Sequence, residues 1–198
     1  FVMAHEGGPA SSTVVQDVHI SNTGVEDGSR GIHWDGHPEA SGYNSINNCH
    51  IVTKEIPMNQ EYINKGNYPI GGCYGIQVEG CANNLIIQHN YIEINGDSES
   101  CCYRLNGKKD YSEPLKPTAI NNTFVSLRNN PSTGTGRASV FKPYCVDGDT
   151  LGPHKNNKII FNDCLVEFEK GNIGDIIFED TTIEYRDEGS KNESAYQI

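Results

Sequence analysis

No run of apolar residues in this chain approaches the ~20 that a membrane-spanning helix requires, which removes the helical membrane classes. Cationic side chains are scarce too: Lys and Arg number 15 against 26 Asp and Glu, a formal net charge of −11. An acidic surface repels phosphate backbones and anionic lipid, so neither nucleic acid nor membrane insertion is expected. The seven cysteines include no Cys-x-x-Cys pair, which argues against a structural zinc site. GTGR at 134–137 lacks the spacing and the Lys-Ser/Thr pair of a phosphate-binding loop. The chain opens on Phe1 without a signal-peptide arrangement, so a processed or excised product, or one whose targeting segment is absent here, is expected.

What is present is repetition. Six segments share one pattern: VQDVHI (15–20), INNCHI (46–51), IQHNYI (87–92), INNTFV (120–125), FNDCLV (161–166) and FEDTTI (178–183). Each has an apolar residue, two turn-favouring polar residues, a small or polar one, a variable one and an apolar, mostly β-branched one. A second element alternates with it, at IHWDG (32–36), IQVEG (76–80), YRLNG (103–107) and YCVDG (144–148), and reads as a half-buried strand entering a tight turn. Units of this kind cannot bury their apolar faces alone and must stack, which makes the chain a solenoid of strands. Twenty-one glycines and abundant asparagine supply the turn conformations that many corners need.

The stretch GIQVEGCANNLIIQHNYIEING (75–96) resembles a coil of the right-handed parallel β-helix repeat proteins, the pectin-lyase-like superfamily. As a repeat architecture the similarity covers residues 13–185. It implies an all-β, right-handed, single-stranded parallel β-helix of about five to seven coils in one domain over 1–198, or a segment of a longer one. That superfamily holds polysaccharide lyases, glycoside hydrolases, epimerases, tailspikes and adhesins, so fold does not choose the activity.

Strand alternation sorts side chains by face. The fourth position of the six-residue element (Val18, Cys49, Asn90, Thr123, Cys164 and Thr181) is expected inward, as an internal ladder with buried thiols at Cys49 and Cys164. Bridges from Cys73 to Cys81, or from Cys101 or Cys102 to Cys145, remain open alternatives in an exported protein. In the glycine-ended strand His33, Gln77, Arg104 and Cys145 form one outward column, and Asp35, Glu79, Asn106 and Asp147 the next. Neighbouring strands lie ~4.8 Å apart, close enough for consecutive carboxylates to share a cation. The plainer reading is turn chemistry, since a short polar residue before Gly caps a turn.

The resemblance implies calcium-assisted lyase chemistry on an acidic polysaccharide, in which the metal neutralises a uronate carboxylate and a base removes the neighbouring carbon-bound proton. Asp35, Glu79 and Asp147 are then the calcium ligands and Arg104 the base, with His33 a second acid or base. No pectate-lyase signature surrounds Arg104, and the NTD, DD, GHG and RIK blocks of polygalacturonases are missing. His33, Asp35 and His37 form a weaker candidate for a transition-metal site, because Gly36 breaks the strand. A third outward column, His19, His50, Tyr91, Phe124, Leu165 and Thr182, offers Tyr91 and Phe124 for stacking on sugar rings unless a loop covers them.

Insertions at 53–72, 108–117 and 128–143 are expected to leave the stack, and they place Lys108 and Arg137 where an anionic glycan could be gripped, the plainer reading being solubilising charge. The competing class is a non-catalytic β-helix, an adhesin, tailspike or filament subunit, whose uncapped ends invite end-to-end or homo-oligomeric assembly. Either class fits a secreted or cell-surface protein. Asn121 and Asn192 begin Asn-x-Ser/Thr sequons, and Asn121 falls in a repeat corner where a glycan is expected not to fit.

Overall fold

A computed structural model describes residues 2–5, 12–24, 30–36, 42–55, 73–80, 84–95, 100–106, 117–127, 138–144, 151–162 and 176–186. In chain order the strands are β1 (Val2–His5), β2 (Val14–Gln16), β3 (His19–Gly24), β4 (Arg30–Gly36), β5 (Asn44–Asn47), β6 (His50–Glu55), β7 (Tyr74–Gly80), β8 (Leu85–Gln88) and β9 (Tyr91–Asn95). There follow β10 (Ser100–Asn106), β11 (Thr118–Ile120), β12 (Thr123–Leu127), β13 (Ala138–Tyr144), β14 (Leu151–Lys155), β15 (Lys158–Phe161), β16 (Ile176–Glu179) and β17 (Thr182–Tyr185). The described residues contain no helix, and so none long and apolar enough to cross a membrane.

Among the described residues the strands form three sheets in which every pairing is parallel: sheet 1 in the order β1-β4-β7-β10-β13, sheet 2 β16-β14-β11-β8-β5-β2 and sheet 3 β17-β15-β12-β9-β6-β3. From β1 to β15 the chain visits sheets 1, 2 and 3 in turn, a succession consistent with a parallel β-helix.

The turn between sheets 2 and 3 repeats most closely. Asp17, Asn48, His89, Asn121, Asn156 and Asp180 sit there with φ between 49° and 57°. Asn, Asp and His tolerate this left-handed region better than other side-chain-bearing residues, because a short polar group bonds locally. The amide of each of the first five donates to the neighbouring repeat, as in Asn121 N to Lys155 O at 2.9 Å and Asn48 N to Gln88 O at 3.2 Å. The next residue points inward, giving the column Val18, Cys49, Asn90, Asn122, Asn157 and Thr181. Its three asparagines form a ladder. Asn90 Nδ2 donates to Asn122 Oδ1 at 3.0 Å, and Asn122 Nδ2 to Asn157 Oδ1 at 3.1 Å. Each amide also reaches a backbone carbonyl, of Ile46, Ile87 and Ala119 respectively.

The core lies between the sheets. Sheet 2 contributes Val15, Ile46, Ile87, Ala119 and His154, and sheet 3 Ile20, Ile51, Ile92, Phe124 and Ile159, none more than 7% exposed. Sheet 1 adds Ile32, Trp34, Ile76, Val78 and Tyr103. Small Ala119 and large Phe124 share one repeat where the preceding one carries Ile87 and Ile92, so volume is conserved between these two as close packing demands. Gly31 and Gly75 are required by close approach: a Cβ on either would meet a carbonyl oxygen of the next strand, Gly75 or Cys102, at 2.6 Å, and the Cγ2 of Ile51 or Ile92.

Three expected registers shift. Ala119 pairs with Ile87, so the fourth six-residue element is 119–124 and not 120–125. The fifth is 154–159 and not 161–166, since His154 pairs with Ala119 and Ile159 with Phe124. The fourth glycine-ended strand is replaced by 141–144, with Phe141 opposite Tyr103. In the first two cases the inward anchor is a small or polar residue, and a nearby apolar one, Ile120 or Phe161, mimics it. Residues 53–55 and 138–143, expected in loops, belong to β6 and β13. Cys49, Cys73, Cys101 and Cys102 are buried; Cys81, Cys145 and Cys164 lie outside the described residues, and with them the alternative bridges to Cys81 and Cys145.

Candidate functional site

The outer face of sheet 1 brings together the residues with the most varied chemistry. His33, Gln77 and Arg104 are register partners on β4, β7 and β10, as alternation predicts, and so are Asp35, Glu79 and Asn106. On the fourth strand the partners are Lys142 and Tyr144, not Cys145 and Asp147. Asp147, with Lys108, Arg137 and His37, lies outside the described residues.

Glu79 is the centre of this face. Its Oε2 lies 3.2 Å from His33 Nε2, with the two side chains 23% and 12% exposed, though the imidazole nitrogen is not aligned for a hydrogen bond. Its other oxygen accepts from Gln77 Nε2, and Gln77 Oε1 accepts from Arg30 Nε, so a chain of contacts runs Arg30, Gln77, Glu79, His33. Gln77 is buried at 2% exposure, which holds the chain's middle rigid. Arg104 donates through Nη1 to the Tyr74 hydroxyl and lies with Cζ 4.7 Å from that ring's centroid, a cation–π contact that fixes the guanidinium plane.

Arg30 and Tyr74 were not legible as site residues. Counting back by twos from inward Ile32 and Ile76 puts both inside the core. Gly31 and Gly75 also face inward, toward Ile51 and Ile92, so alternation is broken there and Arg30 and Tyr74 instead contact the outer-face residues Gln77 and Arg104. A Gly-apolar pair inside a strand pattern is the signal that finds them.

The described residues contain no group of three His, Cys, Asp or Glu arranged to hold a metal ion. Asp35 and Glu79 are adjacent in register, but both Glu79 oxygens are already engaged by His33 and Gln77.

The outward column on sheet 3 is part aromatic. His19 and His50 have ring centroids 4.7 Å apart, and His50 meets Tyr91 edge-on at 4.8 Å. Tyr91 donates to Glu93 Oε2 at 2.6 Å, and burial, with the Glu93 carboxylate beside it, pushes its hydroxyl up to about 12. Phe124 does not continue the row. It is fully buried, pairs with Ile92 and stacks 6.4 Å from Tyr103, so it cannot serve as a sugar platform; Thr123 takes the outward place. Leu165 lies outside the described residues.

Searches of family models, curated proteins and solved structures found no match to this chain.

Proposed function

We propose that this chain is a carbohydrate-interacting right-handed β-helix of pectin-lyase-like type that acts on an acidic polysaccharide across the outer face of sheet 1, outside the cell. The observation that carries the reading is the His33–Glu79 pair held beside two arginines on one half-buried surface. Right-handed winding is the rule for crossovers between parallel strands of one sheet.

In a lyase step Arg104 receives the uronate carboxylate and weakens the adjacent C–H bond. His33, beside the Glu79 carboxylate, takes that proton, and the electron pair forms the double bond as the glycosidic oxygen leaves with the electrons of its own bond to carbon. Arginine is a poor base because it holds its proton above pH 12, so its role here is that of a cation. Elimination is carried by protein side chains in this reading; calcium at Asp35 and Glu79 is the variant that chelation tests.

The test is incubation with a panel of uronate polysaccharides, with and without calcium and chelator, following unsaturated product and new reducing ends together. Unsaturated product that survives chelation and is lost in His33→Ala supports this assignment. Loss on chelation assigns Asp35 and Glu79 to calcium, and reducing ends alone indicate a hydrolase. Silence on every substrate favours the structural or adhesive class. That class has one observation of its own: Ile183 is 52% exposed although its counterparts in the inward column are buried, so the β17 end accepts further stacking.

A further inference from the structure

The geometry points to Asn121 as an N-glycan acceptor when the chain is exported through a compartment that holds an oligosaccharyltransferase. Asn121-Asn122-Thr123 is a sequon, the motif whose hydroxyl residue the transferase reads. The sequence alone puts Asn121 in a crowded repeat corner, and the structure reverses that expectation. Asn121 is exposed at φ 56°, and its column neighbours His89 and Asn156 are exposed too. Its main chain is fixed by the 2.9 Å bond to Lys155 O, yet among the described residues its side-chain amide makes no hydrogen bond. The neighbouring Asn122 carries the buried ladder, so the two adjacent asparagines divide the work: one faces the core, the other solvent. Of the six left-handed corner residues, Asn121 alone has Ser or Thr two places on and is itself Asn.

In the transfer, Asn121 Nδ2 bonds to the anomeric carbon of a lipid-linked oligosaccharide while the bond from that carbon to the lipid diphosphate breaks. The amide proton leaves to base and the diphosphate departs with its electron pair. The glycan then stands on the corner between sheets 2 and 3, away from the outer face of sheet 1.

The inference rests on export, which the test supplies through a secretion leader, so failure of the site and failure of the extracellular reading stay distinguishable. The full chain is secreted from a eukaryotic cell line together with a reporter glycoprotein, and peptides are mapped after amidase release of glycans in heavy-oxygen water. Asn121 is expected as labelled aspartate in wild type and in Thr123→Ser, and as unmodified asparagine in Thr123→Ala. Thr123 is the position to change, because Asn121→Gln would put an unfavourable residue at positive φ and disturb the corner itself. An unmodified Asn121 in secreted wild type beside a modified reporter overturns the inference, as does modification that persists in Thr123→Ala.

Discussion

The corner between sheets 2 and 3 and the outer face of sheet 1 are both rich in polar side chains, yet they use them differently. At the corner, one residue type recurs at one position and makes one set of bonds: Asn90, Asn122 and Asn157 each donate to a carbonyl of the preceding repeat, and each has its Oδ1 met by amides there. On sheet 1, register partners differ in chemistry, His33, Gln77 and Arg104, and their contacts are specific to each strand. Repeated polarity with repeated partners is what a stack needs to satisfy its own backbone. Polarity that changes from strand to strand has no such structural explanation, and so the sheet 1 face is the better place to look for chemistry.

The comparison breaks first, and with the largest effect, at Asn122. Its Oδ1 accepts from both the main-chain and side-chain nitrogens of Asn90, and its own amide satisfies Ile87 O and Asn157 Oδ1, all in the buried interior. Asn122→Ala leaves several of these groups unpaired out of reach of solvent. At 1–3 kcal/mol for each orphaned group, roughly 4 kcal/mol of stability is expected to go, read as a lower denaturant midpoint. A loss below about 1 kcal/mol would mean that water replaces the ladder and that the corner is no more structural than the face.

His154 sharpens the same contrast from inside the core. It occupies an inward place that isoleucine fills in two other repeats, 5.3 Å from Phe178 and edge-on to Tyr103 at 6.3 Å, and burial pushes its pKa down to about 4. The unfolded chain takes up this proton near the ordinary value of 6.5, whereas the folded one does so only near 4. Stability from this group is therefore complete above pH 6.5 and falls as pH drops toward 4, by about 3 kcal/mol in all. His154→Ile should flatten that part of the pH–stability curve, leaving only the carboxylate-driven loss at lower pH. An unchanged curve would show that the imidazole is solvated.

These same positions explain what could be read from the sequence. The alternating elements, their parallel stacking and the outward columns as far as Arg104 follow from spacing, because Ile46, Ile51, Ile87 and Ile92 are anchors of one kind. Reading failed where an anchor changed character: Ala119 and His154 do not look like core residues, so each register slid to a nearby apolar residue and Phe124 was turned outward. Arg30 and Tyr74 were lost to the break in alternation at Gly31 and Gly75. Pairings between distant residues, such as His33 with Glu79, have no local signal at all, because a diagonal contact between strands depends on register and rotamer together.

The smallest stability effect, and the most decisive for function, is expected of Glu79→Gln. The change keeps size and a hydrogen-bonding group for Gln77 but removes the charge facing His33, on a side chain 23% exposed. Partly solvated polar contacts of a carboxylate contribute little, so unfolding should shift by less than about 1 kcal/mol. Product formation should nevertheless fall by roughly 10²-fold if the carboxylate orients and stabilises a working imidazole, or glycan affinity should fall if the face only binds. Thermal unfolding and product formation measured on the same preparation separate the cases. A variant that loses several kcal/mol, with activity falling only in step with the folded fraction, would place Glu79 with the ladder asparagines as a stacking device. The face of sheet 1 would then be a second corner, not a site.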